Sequence, residues 1–182
     1  KTAFGAIDSN TITENNANSN IDSTGLLIEG GSPTASNNTI SSNYYGLRVL
    51  SSSTSTISSN TFSSNTSFAA ESNGAYPSFS GSTASGNGTN GIGLQGTVEQ
   101  NYTLNADIQY VIQNITYTID TGKTLTAAAG AIIKLQGGGT ISANGKLVTN
   151  GTSGNKVVFT SIKDDTYGGD TNANGSTSSP QA

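Results

Sequence analysis

The stretch Ile57-Ser58-Ser59-Asn60-Thr61-Phe62-Ser63-Ser64-Asn65 recurs along the first half of the chain. Upstream stand Ala35-Ser36-Asn37-Asn38-Thr39-Ile40-Ser41-Ser42-Asn43 and Ile7-Asp8-Ser9-Asn10-Thr11-Ile12-Thr13-Glu14-Asn15. Downstream stands Phe79-Ser80-Gly81-Ser82-Thr83-Ala84-Ser85-Gly86-Asn87. The closing asparagines, Asn15, Asn43, Asn65 and Asn87, follow one another at steps of 28, 22 and 22 residues. The longer first step leaves room for a loop within residues 16–24. A weaker fifth copy runs from Val98 through Asn101 to Leu104. After the asparagine comes a second short apolar run: Gly25–Ile28, Gly46–Val49, then Gly91–Leu94. The third copy, around Phe68-Ala69-Ala70, lacks the glycine.

Apolar residues recur here at spacing two and β-breaking residues interrupt every few positions, which predicts short strands and no helix. One such coil cannot bury its own inner face, so it must stack on neighbours at ~4.8 Å, strand on strand in parallel. The expectation is an all-β parallel solenoid of about eight coils over residues 4–163. Ile12, Ile40, Phe62 and Ala84 form one inward ladder, and Leu26, Leu47 and Ala69 another. The repeated asparagine belongs in a tight turn, its amide bonding to the turn backbone and to the asparagine one coil away. Residues 4–109 resemble the right-handed parallel β-helix proteins of the carbohydrate-binding and sugar-hydrolase repeat type. That motif is degenerate and implies a fold more than an activity.

The second half reads Ile119-Asp120-Thr121-Gly122-Lys123-Thr124-Leu125, then Ala129–Leu135, Gly139–Leu147 and Gly151–Ser161. It resembles the opening coils of large bacterial surface and secreted β-helix proteins. In those an acidic loop like Asp164–Gly175 leads through a Pro-containing stretch into the next coil, and the resemblance implies an extracellular or cell-surface location. Here the sequence ends Pro180-Gln181-Ala182 and opens Lys1-Thr2-Ala3-Phe4-Gly5-Ala6-Ile7, which reads as a stand-in for that continuation. The expectation is a single domain over 1–182, with asparagine-ladder coils at 1–109, a second set at 110–163 and a loop at 164–182 leading into a next unit. Lys1, Phe4, Ile7, Pro180 and Ala182 would lie at the junction. Neither end carries a polar capping repeat, and an uncapped β edge is a template for another chain. The expected partner is therefore another copy, stacked head to tail. Charge agrees: residues 1–122 hold two basic and eight acidic side chains, residues 123–182 five lysines and three aspartates.

Composition narrows the chemistry. Ser, Thr, Asn and Gly number 27, 26, 21 and 23 of 182 residues, and only 10% are charged. The periodic apolar placement sets aside a disordered linker. Without His, Cys, Met or Trp there is no His acid–base site, thiol nucleophile, disulfide frame or Cys/His zinc site. A net charge of −4 with seven basic residues argues against nucleic acid. No apolar run approaches the ~20 residues of a membrane span. No signal peptide precedes Lys1, so the sequence is expected to start inside a mature protein or to have been cut from a longer one. By resemblance, polysaccharide enzymes of this fold use calcium with a basic residue, or clustered carboxylates. The single arginine, Arg48, reads as isolated, and Asp8, Glu14, Asp22, Glu29, Glu71, Glu99 and Asp107 share no position of the repeat. The chain is expected not to be an enzyme.

Asp170-Thr171-Asn172-Ala173-Asn174-Gly175 matches the first half of an EF-hand-like loop, with oxygen ligands at positions one, three and five and Gly at six. Asp164 and Asp165 add charge, while the twelfth position is Gln181 rather than Glu. The expected cofactor is a structural calcium ion. Seven Asn-x-Ser/Thr sequons occur, at Asn37, Asn65, Asn87, Asn101, Asn114, Asn150 and Asn174; Asn65, Asn87 and Asn101 fall at stacked positions, and Asn114, Asn150 and Asn174 are the better glycosylation candidates. The outward columns Thr11, Thr39, Thr61, Thr83 and Thr13, Ser41, Ser63, Ser85 resemble the flat face of ice-binding proteins, though serine replaces threonine at three of four coils in the second. Tyr44, Tyr45 and Tyr102 are candidate sugar contacts. The expected function is a structural extracellular module forming a fibre or tandem array, with an ice-binding protein and a glycan-binding adhesin module as alternatives.

Overall fold

A computed structural model of the chain describes residues 5–15, 23–175 and 180. Lys1, Phe4, Asp22, Gln181 and Ala182 lie outside the described residues. Strands come in triplets, one triplet per coil. The first coil holds β1 (Ala6–Asp8), β2 (Thr11–Thr13) and β3 (Thr24–Glu29); the second β4 (Thr34–Ser36), β5 (Thr39–Ser41) and β6 (Tyr45–Leu50). The third holds β7 (Thr56–Ser58), β8 (Thr61–Ser63) and β9 (Phe68–Asn73); the fourth β10 (Ser78–Ser80), β11 (Thr83–Ser85) and β12 (Thr89–Gln95). Then follow β13 (Thr97–Val98), β14 (Tyr102–Leu104) and β15 (Tyr110–Gln113), and β16 (Thr116–Ile119), β17 (Thr124–Ala127) and β18 (Ile132–Gln136). The last coil holds β19 (Thr140–Ala143), β20 (Lys146–Thr149) and β21 (Val158–Ser161). No α-helix occurs among the described residues.

Every ladder is parallel and joins strands one coil apart. The third strands make one sheet of seven, β3-β6-β9-β12-β15-β18-β21, along the whole stack. Among the described residues this gives seven rungs and six steps rather than eight coils, because the later coils carry longer loops and residues 162–175 start no new rung. Ile12, Ile40, Phe62 and Ala84 are in register on the inner side, as the repeat predicts. The second ladder runs Leu26, Leu47, Ala70 and Ile92, not through Ala69. The turn after Asn65 is one residue longer than that after Asn43, which shifts the strand by one. Ile40, Phe62, Leu47, Ile57, Phe79 and Ile112 are among the side chains closed off from solvent in one continuous core. Each such burial contributes roughly 1.5–3 kcal/mol.

The other two faces are interrupted between the fourth and fifth rungs, where β10 and β11 have no ladder partners in β13 and β14. Tyrosine side chains supply the missing bonds. Tyr76 Oη donates to Thr97 O at 3.2 Å and accepts from Glu99 N at 2.8 Å. Tyr102 Oη donates to Pro77 O at 3.0 Å; within the fifth rung, Tyr110 Oη accepts from Asn105 N at 3.0 Å. Tyr76 and Tyr102 also meet edge to face, ring centroids 5.5 Å apart. Tyr102 is thus a core residue and not a sugar contact, a role that its short polar surroundings in sequence concealed.

Candidate functional site

The first rungs turn on a local rule. A residue with positive φ precedes each ladder position: Ser9, Asn37, Ser59 and Gly81 at one corner, Glu14, Ser42, Ser64 and Gly86 at the next. The left-handed residue turns the backbone sharply, and the side chain that follows satisfies the groups left bare. Asn43 N donates to Asn65 Oδ1 and Asn65 N to Asn87 Oδ1, both at 3.0 Å, while Asn15 N reaches Asn43 Oδ1 at 3.0 Å. The amide nitrogens close the pattern, Asn65 Nδ2 donating to Asn87 Oδ1 at 2.8 Å and to Ile40 O at 3.1 Å. The stack ends on Asn90, whose Oδ1 accepts from Asn87 N at 2.9 Å.

A second ladder stands at the other corner. Asn10 N donates to Asn38 Oδ1 at 2.9 Å, Asn38 N to Asn60 Oδ1 at 3.0 Å, and Asn60 N to Ser82 Oγ at 3.2 Å. Asp107 terminates it by accepting from Ser82 N at 3.2 Å; burial pushes the Asp107 carboxyl above its ordinary range. Asn10, Asn38 and Asn60 were visible in the repeat at the same spacing as the closing asparagines. Asn101 does not join either stack; it is exposed, and its Oδ1 accepts from Thr124 N at 3.0 Å.

The remaining surface candidates fall in separate places. Thr11, Thr39, Thr61 and Thr83 form an exposed column in register on β2, β5, β8 and β11. Thr13, Ser41, Ser63 and Ser85 form a parallel column, with Ser41 Oγ 3.4 Å from Thr13 Oγ1. Asn114, Asn150 and Asn174 are all exposed. Pro180 is exposed, and Ile7 lies half-buried on the first rung. Tyr44 and Tyr45 are half-buried and meet edge to face at 5.1 Å.

Arg48 is not isolated. Parallel stacking puts it beside Glu71, 23 residues on, and its Nε and Nη2 both donate to Glu71 Oε1, at 2.9 and 2.8 Å. Gln95 Nε2 donates to the other carboxylate oxygen at 3.2 Å, and the guanidinium stacks 5.0 Å from the Tyr45 ring centre. Next to this pair is a recess of about 250 Å³ lined by Phe68, Gly93, Gln95, Val111, Gln113 and Asn114. Its lining brings aromatic and amide groups but no carboxylate.

The acidic loop wraps onto the long sheet. Asp170 Oδ1 and Oδ2 accept from Asn174 N at 3.1 Å and Gly175 N at 2.7 Å, closing the turn. Asp164 accepts from Thr160 Oγ1 at 2.6 Å and Thr166 N at 3.0 Å, and the Thr160 hydroxyl foremost holds its carboxyl below the usual range. Among the described residues no three His, Cys, Asp or Glu side chains converge as ligands for a metal ion. No helix among them is long and apolar enough to cross a membrane.

The two end rungs differ from the rest. On β20 and β21, Leu147 is 38% and Phe159 41% exposed, whereas their register partners one rung down, Leu125 and Ile133, are 0%. On the first rung Ile7, Ile12 and Leu26 are only partly covered, against 0–1% for Ala35, Ile40 and Leu47 above them. Exposed Lys146, Lys156 and Lys163 ring the last rung; exposed Asp8, Glu14 and Glu29 ring the first. Residues 4–177 match the family described as right handed beta helix region. No curated protein and no solved structure matches.

Proposed function

The chain belongs to the right-handed β-helix family, and from that footing we propose that it is a structural, non-catalytic, extracellular module extended by axial stacking of copies. The observation that carries this is the open core at the last rung, where Phe159 is 41% exposed above a fully buried Ile133. Seating the first rung of a second copy there would continue three ladders at once: Ile141 onto Ile7, Leu147 onto Ile12 and Phe159 onto Leu26. The strand edges of β19, β20 and β21 would gain partners in β1, β2 and β3. The lysine-ringed end meets the acid-ringed end, which favours head to tail over head to head.

The family contains both enzymes and non-enzymes. A non-catalytic reading is supported by Glu71, the buried carboxylate beside the surface recess, being engaged by Arg48 and Gln95. The extracellular location rests on the resemblance of residues 110–182 to secreted and surface β-helix proteins. Electron microscopy and sedimentation of the whole chain test the stacking. Particles that lengthen end to end with concentration are expected, and Leu147→Asp or Phe159→Asp should leave monomers with an unchanged β spectrum. Persistent monomers, or contacts between solenoid sides, would overturn the reading.

Ice binding is the second reading, favoured by the exposed threonine column in register over four rungs. Thermal hysteresis at micromolar protein that disappears in Thr39→Tyr or Thr61→Tyr would decide for it. The serines of the neighbouring column weaken it.

A further inference from the structure

The segment after β21 turns back across the outer face of the long sheet. Ile162 N still pairs with Leu135 O at 3.0 Å, but Thr171 lies three rungs lower and is fully buried. There Asn90 N donates to Thr171 O at 2.8 Å, Asn90 Nδ2 to Asp170 O at 3.1 Å, and Gln109 Nε2 to Thr171 Oγ1 at 3.1 Å. Gly91 lies beneath Thr171: a Cβ on it would stand 2.8 Å from Val111 Cγ2 and 3.1 Å from Gln109 O, and in ordinary contact with Thr171 Cγ2 at 3.4 Å. The acidic loop is therefore a strap docked on the sheet.

Beneath the strap is a lysine. Lys134 lies on the outward side of β18 yet is 0% exposed, and its Nζ donates to Asp164 O and Gly169 O at 2.9 Å each. Asp165, Asp164 and Asp170 are the negative charges that act on it. A buried ammonium is tolerated only when oxygens and opposite charge surround it, and here every one of them comes from the strap. On the strap's side, Asp165 Oδ1 and Asn172 Oδ1 are buried with no hydrogen-bond donor among the described residues, and Asp165 is the foremost of the charges that act on the lysine.

We propose that Lys134 is the built-in cation of this acidic strap, occupying the role that the Asp/Asn spacing of the loop suggests for a divalent ion. The geometry gives the ammonium two backbone carbonyls of the strap, with the charges of Asp165, Asp164 and Asp170 acting on it from a distance, while the carboxylates do not converge on a common point among the described residues. The strap then docks without metal. It stays docked in a calcium-poor medium, shielding the lysine and leaving the edge of the last rung open for stacking.

Hydrogen exchange of residues 164–172 in the full chain tests this, with EDTA and with millimolar CaCl2, in the wild type and in Lys134→Met. Wild-type protection is expected to be equal in the two media, and Lys134→Met in EDTA to lose at least about tenfold of it. Protection that rises with calcium in the wild type, or that survives Lys134→Met in EDTA, overturns the proposal. Should Lys134→Met not fold, Asp165→Asn serves instead: faster strap exchange supports the assignment and unchanged exchange overturns it.

Discussion

At the residue scale the asparagine is the working unit, because one side chain closes a left-handed corner and joins two rungs. Asn65 shows what this is worth. Its Oδ1 accepts from Asn43 N and Nδ2, and its Nδ2 donates to Ile40 O and Asn87 Oδ1, all in the interior. Asn65→Ala should destabilise the chain by about 2–4 kcal/mol, since it strands a buried N–H as well as losing bonds. Asn15→Ala, at the exposed end of the same ladder, should cost well under ~1 kcal/mol. Urea titrations of the two variants check the contrast. Tyrosine gives the second prediction at this scale. Burial pushes the phenols of Tyr102, Tyr110 and Tyr117 well above the ordinary 10.0. The folded state holds these protons more tightly, so their contribution is fully present below pH 10.0 and is lost as pH climbs toward the folded values. Lys134, lowered by burial, acts with the opposite sign but is one group against three. Melting temperature should therefore fall on the alkaline side of pH 10.0, and Tyr117→Phe should flatten that fall.

At the scale of elements, the notable feature is the seam between the fourth and fifth rungs. Three-residue strands hold together only as ladders, and two of the three ladders stop there. The hydroxyls of Tyr76 and Tyr102 and the Asp107 ladder end bridge the gap, while β12 and β15 carry the one unbroken sheet across. Tyr76→Phe leaves Glu99 N without its acceptor. It should destabilise by about 1–2 kcal/mol and speed exchange at residues 97–104 more than within the first three rungs. Uniform exchange across all rungs would show that the seam is no weaker than the ladders.

For the whole molecule, stacking sets a length. Seven rungs at ~4.8 Å predict an axial repeat of about 34 Å in any fibre. On the proposed head-to-tail stacking, opposite charge at the two ends would steer association over about a Debye length, so salt should slow assembly more than it weakens a finished fibre. Light scattering against ionic strength, with dissolution of preformed fibres as the control, measures both. Deleting residues 1–7 removes most of β1 and should abolish long fibres while the remaining rungs stay folded.

The period, the parallel stacking and the inward ladder from Ile12 to Ala84 were legible in the sequence because a solenoid makes its tertiary neighbours at a constant separation. Asn43, Asn65 and Asn87 could be matched by counting alone, and the same counting reaches Asn10, Asn38 and Asn60. Where the period drifts, counting fails. The extra residue after Asn65 moved the second ladder from Ala69 to Ala70, and the longer later coils reduced eight rungs to seven. Contacts across the regular spacing needed the fold itself. The Arg48–Glu71 pair depends on a register set by that shifted turn, and the tyrosine seam on a break that no repeat announces. Lys134 meets Asp164 and Gly169 only because the strap folds back, a path that no repeat spacing encodes and that gives one buried ammonium its oxygen partners.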